Sequence, residues 1–292
     1  MAEAVALAAP RAPGGAWSRA LPRMRRHRGA VVGIAVVAAL ALVAVAQNIV
    51  APQNPIKIDI VSALRAPDRA HWMGTDQYGR DVYSRVVHGT SISLLVGFIS
   101  VGIAATTGTA VGLVAGYYGG RTDGTLMRLI DVMLAFPGIL LALAIVSVLG
   151  PNLRNLMIAV GIAAIPDYVR ITRGTVLSLM EREFVLAARV VGCRDHAIIF
   201  RHILPNVTAP LTVLATLGIA GAIITGSALS FLGLGVRPPA PEWGNMLAEG
   251  REFLEHAWWV AFFPGLAIML AVFSINLLGD GLRDALDPRL RA

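Results

Sequence analysis

Apolar positions gather into six long runs along the chain, with short polar stretches between them. The runs cover about 30–50, 91–117, 126–149, 156–176, 211–232 and 257–278. Each is long enough to cross roughly 30 Å of hydrocarbon as an α-helix, which satisfies its own backbone hydrogen bonds there. The pattern predicts an all-α, polytopic membrane protein with six transmembrane helices. Pro137 lies in the third run and is expected to kink it or to be accommodated by neighbouring helices. Pro166, Asp167, Arg170 and Arg173 interrupt the fourth. That run is expected to leave the bilayer near Pro166 and continue as a helix into water. Gly108, Gly112 and Gly116 in the second run, and Gly218 and Ala222 in the fifth, recur every four residues. Such faces let helices approach closely, within one chain or against a partner.

Composition agrees with this pattern. Of 292 residues, 56% are hydrophobic and only 15% charged, too apolar for an ordinary soluble domain. The net charge of +7 comes from residues lying between apolar runs, so it reports topology rather than nucleic-acid binding. Arg11, Arg19, Arg23, Arg25, Arg26 and Arg28 precede the first run. That run is too long for a cleaved signal peptide and is not closed by a small-residue cleavage pattern. A retained first helix is expected, with both termini cytoplasmic. In that orientation the inner side carries about twice as many Lys and Arg residues as the outer side. The single cysteine, Cys193, leaves no disulfide framework and no metal cluster. His71, His88 and His256 lack paired metal-ligand spacing.

One charged stretch interrupts this apolar chain: residues 183–206, EFVLAARVVGCRDHAIIFRHILPN. Before Gly192 it reads as a helix carrying Ala187 and Ala188. After Gly192, a second short helix from His196 to Ile203 is expected to end at Pro205. Glycine at the junction permits a tight turn, since it enters the left-handed region cheaply. Ile198, Ile199, Phe200 and Ile203 stand among Arg194, His196, Arg201 and His202. Such a helix suits a cytoplasmic partner, or the lipid headgroup surface.

The spacing Ala187-Ala188, then Gly192, then Leu204-Pro205 resembles the cytoplasmic EAA loop of ABC importer permeases. Leu186 stands at the usual glutamate and His202 at the usual isoleucine. With the ending Arg201-His202-Ile203-Leu204-Pro205-Asn206, both departures resemble the dipeptide/oligopeptide/nickel branch. The segment HWMGTDQYGRDVYSR, residues 71–85, is similar to the GTDxxGRDxxSR signature of the C-type permease of that branch. The segments DVMLAFP (131–137), ALSFLGLG (228–235) and PEWG (241–244), and the terminal Asp287-Pro288-Arg289-Leu290, are similar to further elements of it.

The resemblance implies a type I ABC importer permease fold with a cytoplasmic coupling helix. Residues 1–29 would be a cytoplasmic tail, 30–50 the first span and 51–90 an extracytoplasmic loop. Residues 91–282 would form a five-helix core including a coupling loop at 181–206, and 283–292 a second cytoplasmic tail. It implies no catalysis and no cofactor in this chain, ATP and Mg being bound by two partner ATPase domains. A second, B-type permease in a heterodimer, an extracytoplasmic substrate-binding protein and membrane lipid complete the implied partners; nucleic acid is not among them. The cargo would be di- or oligopeptides, with nickel chelates or glutathione as alternatives, and the location a bacterial inner membrane. The coupling residues are then Glu183, Ala187, Ala188, Arg189, Gly192, Asp195, His196, Arg201, Leu204 and Pro205.

The extracytoplasmic motif comprises Gly74, Thr75, Asp76, Gly79, Arg80, Asp81 and Arg85. Its carboxylates and arginines read either as a gate or docking surface, or as a capped, salt-bridged loop that fixes a helix start. The loop with Glu242, Glu249, Glu252 and Glu255 could meet a binding protein or be a solvated face. Trp258 and Trp259 are expected to anchor the sixth span at the interface. An ion-coupled carrier would place ionisable residues at mid-membrane, where the predicted spans are almost free of charge. A hydrolase would need a motif such as H-E-x-x-H or G-x-S-x-G, which the chain lacks. No Walker A loop is possible, since the one lysine, Lys57, follows Ile56.

Overall fold

The computed structural model describes Met24 and residues 27–286. The arginines ahead of His27 and the terminal Asp287-Pro288-Arg289-Leu290 motif lie outside the described residues. The main helices are α1 (Arg28–Val45), α2 (Val82–Tyr118), α3 (Gly120–Leu134), α4 (Gly138–Leu149) and α5 (Leu153–Met180). They are followed by α6 (Glu183–Val190), α7 (Leu204–Phe231), α8 (Trp243–Gly250) and α9 (Trp259–Leu286). Five of them are long and apolar enough to cross a membrane, and six spans result if α3 and α4 count as one. Among the described residues the only β pairing is an isolated bridge between Thr75 and Asp81.

The third apolar run is not one straight helix. α3 and α4 meet at 89° across Ala135-Phe136-Pro137. Pro137 has no N–H to continue the ladder and caps α4 instead. α3 is held by charge rather than by lipid alone. Arg173 Nε and Nη2 donate to the two Asp123 oxygens at 2.5 and 2.6 Å, and Arg170 reaches Asp131 at 3.0 Å.

The fourth run, by contrast, does not break. α5 passes through Pro166 as one 28-residue helix. Its packing against α2 explains why. A Cβ at Gly112 would lie 2.6 Å from Thr172 Cβ, one at Gly116 would lie 2.8 Å from Val176 Cβ, and Gly108 abuts Tyr168. The glycine series is therefore a close seam within the chain, and its contacts outweigh the one hydrogen bond that Pro166 forfeits.

α2 begins at Val82, well before the apolar run that announced it, and is 37 residues long, about 55 Å. Its polar first turns are buried by the 51–81 segment and α8, so they meet protein rather than lipid. Asp81 caps the helix by accepting from Ser84 N at 2.8 Å. α7 likewise starts early. The chain is helical from Asp195 onward, through wide turns over Ile198–Ile203 directly into α7. Pro205 does not end the short helix as expected. It sits in the first turn of α7, where a missing N–H breaks no α-helical bond. At the other end of the chain, α1 lies along α9, with Gly33 close to Ser274 and Gly281 close to Ala30.

Candidate functional site

Two motif regions and one cavity carry candidate function, and α2 runs between the motif regions. At its C-terminal end lies the 183–206 element. α6 stops in a Schellman turn. Gly192 takes φ +83°, its N–H bonds Arg189 O at 3.0 Å, and Cys193 N–H bonds Ala188 O at 3.0 Å. The chain then re-enters helix at Asp195. Val185, Ala188, Ile198, Ile199 and Ile203 are buried in the main apolar core with Tyr117 and Val176, and Leu204 packs against it. The opposite surface exposes Glu183, Ala187, Arg189, Gly192, Asp195, His196, Arg201 and Pro205. Ala188 and Leu204 thus seat the element, while these others face outward.

Two features define the outer side of this element. First, its outward surface is partly apolar. Val190, Val191 and Phe200 are 88%, 81% and 65% exposed around the Gly192 turn. Second, Tyr117 anchors it. Tyr117 Oη donates to Asp195 Oδ1 at 2.7 Å, and the Arg189 guanidinium lies 5.5 Å from the centre of the same ring. Asp195 is exposed but tethered. An aromatic at the end of an apolar run was the only signal for Tyr117.

At the N-terminal end of α2 is a buried charge network. Asp76 Oδ1 accepts from Tyr78 N (2.9 Å) and Arg80 N (3.0 Å), and its Oδ2 accepts from Arg80 Nε at 2.6 Å. Arg85 Nε lies 3.4 Å from the same oxygen. Glu249 on α8 closes the network, accepting from Arg80 Nη2 at 2.7 Å and Arg85 Nη2 at 3.2 Å. Arg85 is 1% exposed. His71 Nδ1 lies 3.0 Å from Asp81 Oδ1. Gly74 and Gly79 take φ +73° and +71°, and the Thr75 carbonyl accepts from Trp259 Nε1 at 3.1 Å. Of the two readings of this motif, the geometry is that of the salt-bridged, capped loop. It pins the 51–81 segment to α2 and α8.

Two further expectations are corrected here. Trp259 is buried in this packing rather than at a lipid interface, and only Trp258 is half-exposed. The acidic loop is not uniformly solvated. Glu249 belongs to the network, and buried Glu242 caps α8 by accepting from Gly244 N (3.0 Å) and Asn245 N (2.9 Å). Burial pushes the Glu242 carboxyl above the ordinary glutamate value, against the pull of those two donors.

Between the two ends, a cavity of about 250 Å³ opens among α2, α4, α5 and α7. Its lining is mostly small or apolar, from Val101, Val160, Ala163, Leu214 and Ala222, with polar groups from Ser100, Asp167, Tyr168 and Thr225. As expected, α5 continues through Pro166 as one helix, and Asp167 lines this cavity. No group of three or more His, Cys, Asp or Glu side chains is placed to hold a metal among the described residues.

Comparison with known proteins matches this architecture. Residues 108–292 match the family described as binding-protein-dependent transport system inner membrane component. Residues 15–67 match the N-terminal TM domain of oligopeptide transport permease C. The chain is 45% identical to the dipeptide transport system permease protein DppC of Alkalihalophilus pseudofirmus, over 94% of this chain and 91% of that protein. It is 47% identical to the protein of the same name in Escherichia coli, over 91% of each. It is 45% identical to the glutathione transport system permease protein GsiD of Pectobacterium atrosepticum, over 94% of this chain and 91% of that protein. A solved structure of the MetNI methionine ABC transporter in inward-facing conformations shares the fold, with a TM-score of 0.56 at 17% identity, over 70% of this chain and 96% of that one. With its membrane-spanning helices and no catalytic role of its own, the chain belongs to the binding-protein-dependent transport system inner membrane component family, the multi-pass inner-membrane permease subunits of ABC importers.

Proposed function

We propose that this permease forms half of a translocation pathway for small peptides, driven by two partner ATPase domains that bind ATP and Mg. Relatives named for dipeptide, di/tripeptide and glutathione transport support peptide cargo. A second, B-type permease completes the pathway, and an extracytoplasmic binding protein delivers the cargo. Both termini and the 183–206 element face the cytoplasm, and the Asp76–Arg85 network faces the opposite side.

The observation that carries this reading is the 183–206 element. It seats one apolar face in the core and presents another, with Val190, Val191 and Phe200 among Arg189, His196 and Arg201, to the outside. A surface of apolar tips ringed by charge suits a protein cleft. The ATPase would press on this surface when it closes on ATP. Asp195 would pass that motion to Tyr117 and so to α2, while the turns over Ile198–Ile203 would pass it to α7.

The chain's one cysteine offers the test. Cys193 is exposed beside Gly192. A membrane-impermeant maleimide should label it in inside-out vesicles and not in intact cells. Labelling should fall when the ATPase subunits are bound, and the assembled complex should take up radiolabelled dipeptide. Labelling from the outer face, or labelling indifferent to the ATPase, would overturn the coupling role. Absence of peptide uptake would overturn the cargo.

A further inference from the structure

The cavity among α2, α4, α5 and α7 is lined by one exposed carboxylate that has no partner among the described residues. Asp167 stands near the middle of α5, is exposed in the single chain where it lines the cavity, and has no ion pair among the described residues. The nearest arginines along the helix are committed elsewhere, Arg170 to Asp131 at 3.0 Å and Arg173 to Asp123 at 2.5 Å. An ionisable group inside a membrane-spanning helix is costly, and it is retained where it faces a watered path or a ligand.

A second group points the same way. Tyr168 is 2% exposed, with its ring against Gly108 and its hydroxyl against Gly218, where a Cβ would come within 2.6 Å. That hydroxyl has no hydrogen-bond partner, yet Tyr168 lines the same cavity as Asp167. A buried, unsatisfied hydroxyl costs free energy unless something else visits it. The rest of the wall is small or apolar and contributes no cation.

We infer that Asp167 and Tyr168 form a station on the translocation path that accepts the α-ammonium group of a peptide in transit. This rests on the peptide-permease reading above. The carboxylate supplies the charge and the tyrosine oxygen a further acceptor for an ammonium N–H. The cavity of about 250 Å³ admits this end of the cargo with water around it. The apolar wall makes no demand on the peptide's side chains. A single partly watered carboxylate also holds its ligand weakly, and cargo on a path must leave as readily as it arrives.

The test uses the complete transporter reconstituted in proteoliposomes, with uptake of radiolabelled L-alanyl-L-alanine and ATP hydrolysis stimulated by the loaded binding protein measured together. Asp167→Asn should lower uptake about tenfold, the loss expected for one charge-assisted hydrogen bond. Its assembly and stimulated ATP hydrolysis should stay at wild-type level. Asp167→Glu should recover uptake to within about threefold of wild type, and Tyr168→Phe should lose about threefold. Uptake by Asp167→Asn close to wild type, or Asp167→Glu as impaired as Asp167→Asn, would overturn the station while leaving peptide transport intact. If Asp167→Asn does not assemble, full uptake by Tyr168→Phe overturns it equally. No dipeptide uptake by the wild-type complex would overturn the peptide reading and the station with it.

Discussion

Tyr117, at the end of α2, donates a 2.7 Å hydrogen bond to Asp195, the residue that restarts the helix behind Gly192. Through this bond the exposed 183–206 element is tied to a continuous helix about 55 Å long. The other end of that helix is locked by Arg85 into the Asp76–Glu249 network. One continuous helix thus joins the two ends.

Tyr117→Phe removes the hydroxyl and leaves the ring under Arg189. A thermal-unfolding shift corresponding to about 1 kcal/mol is expected. Uptake per ATP hydrolysed should fall severalfold in proteoliposomes. Asp195→Asn keeps an acceptor oxygen and should be milder than Asp195→Ala in the same assay.

Gly192 has φ +83° and open space where a Cβ would stand. A substitution there suffers from backbone strain alone, about 1–2 kcal/mol for a residue forced into the left-handed region. Gly192→Val should uncouple ATP hydrolysis from uptake. Gly192→Asn, which tolerates that region, should retain more transport; equal defects in the two variants would count against strain as the cause.

Removing Arg85 from the Asp76–Arg80–Arg85–Glu249 network leaves two carboxylates to share Arg80 alone, with one negative charge in excess. Arg85→Met should cost about 3–5 kcal/mol. The readouts are a lower melting temperature in detergent and faster proteolysis within residues 51–81. Lys57 is exposed and makes no ion pair among the described residues, so Lys57→Met serves as the neutral control.

Gly112→Leu should force α2 away from α5, because even a Cβ would meet Thr172 Cβ at 2.6 Å. Gly102→Ala, on the same helix with nothing within 4 Å, should be silent or slightly stabilising. Size-exclusion profiles and melting temperatures of the two variants should separate clearly.

Glu242 gives a pH prediction. Its folded-state pKa is raised by burial, so its proton is held more tightly in the folded protein. Its stabilising contribution is complete below the ordinary glutamate pKa of about 4.3 and is lost as pH rises through the higher folded value. The melting temperature of wild type relative to Glu242→Gln should therefore fall from acidic to neutral pH. A difference that stays flat or rises would contradict the raised value.

Much of this protein was legible in its residues. Runs of about twenty apolar side chains can satisfy backbone and lipid together only as helices, so the class and most of the spans followed from one-dimensional pattern. The glycine spacing in α2 marked a close seam, and the spaced motifs marked the family. The pattern did not show that α2 starts at Val82, because its first turns are polar and become buried only once α8 and the 51–81 segment cover them. Nor did it show that Asp167 faces a cavity. Pro166 and the charges after it read only as a helix continuing into water, whereas the cavity forms where α2, α4, α5 and α7 pack together.

Local chemistry, then, specified what the chain could form: helices of membrane length, a glycine turn within 183–206, and a capped loop ahead of α2. Three-dimensional packing settled what those elements do to one another. Glu249 meets Arg85 from 164 residues away in sequence, and Tyr117 meets Asp195 from 78. No short-range pattern encodes such pairs. They exist because apolar burial and the glycine seam fix the helices' relative positions first, and buried charges and hydroxyls must then find partners within reach.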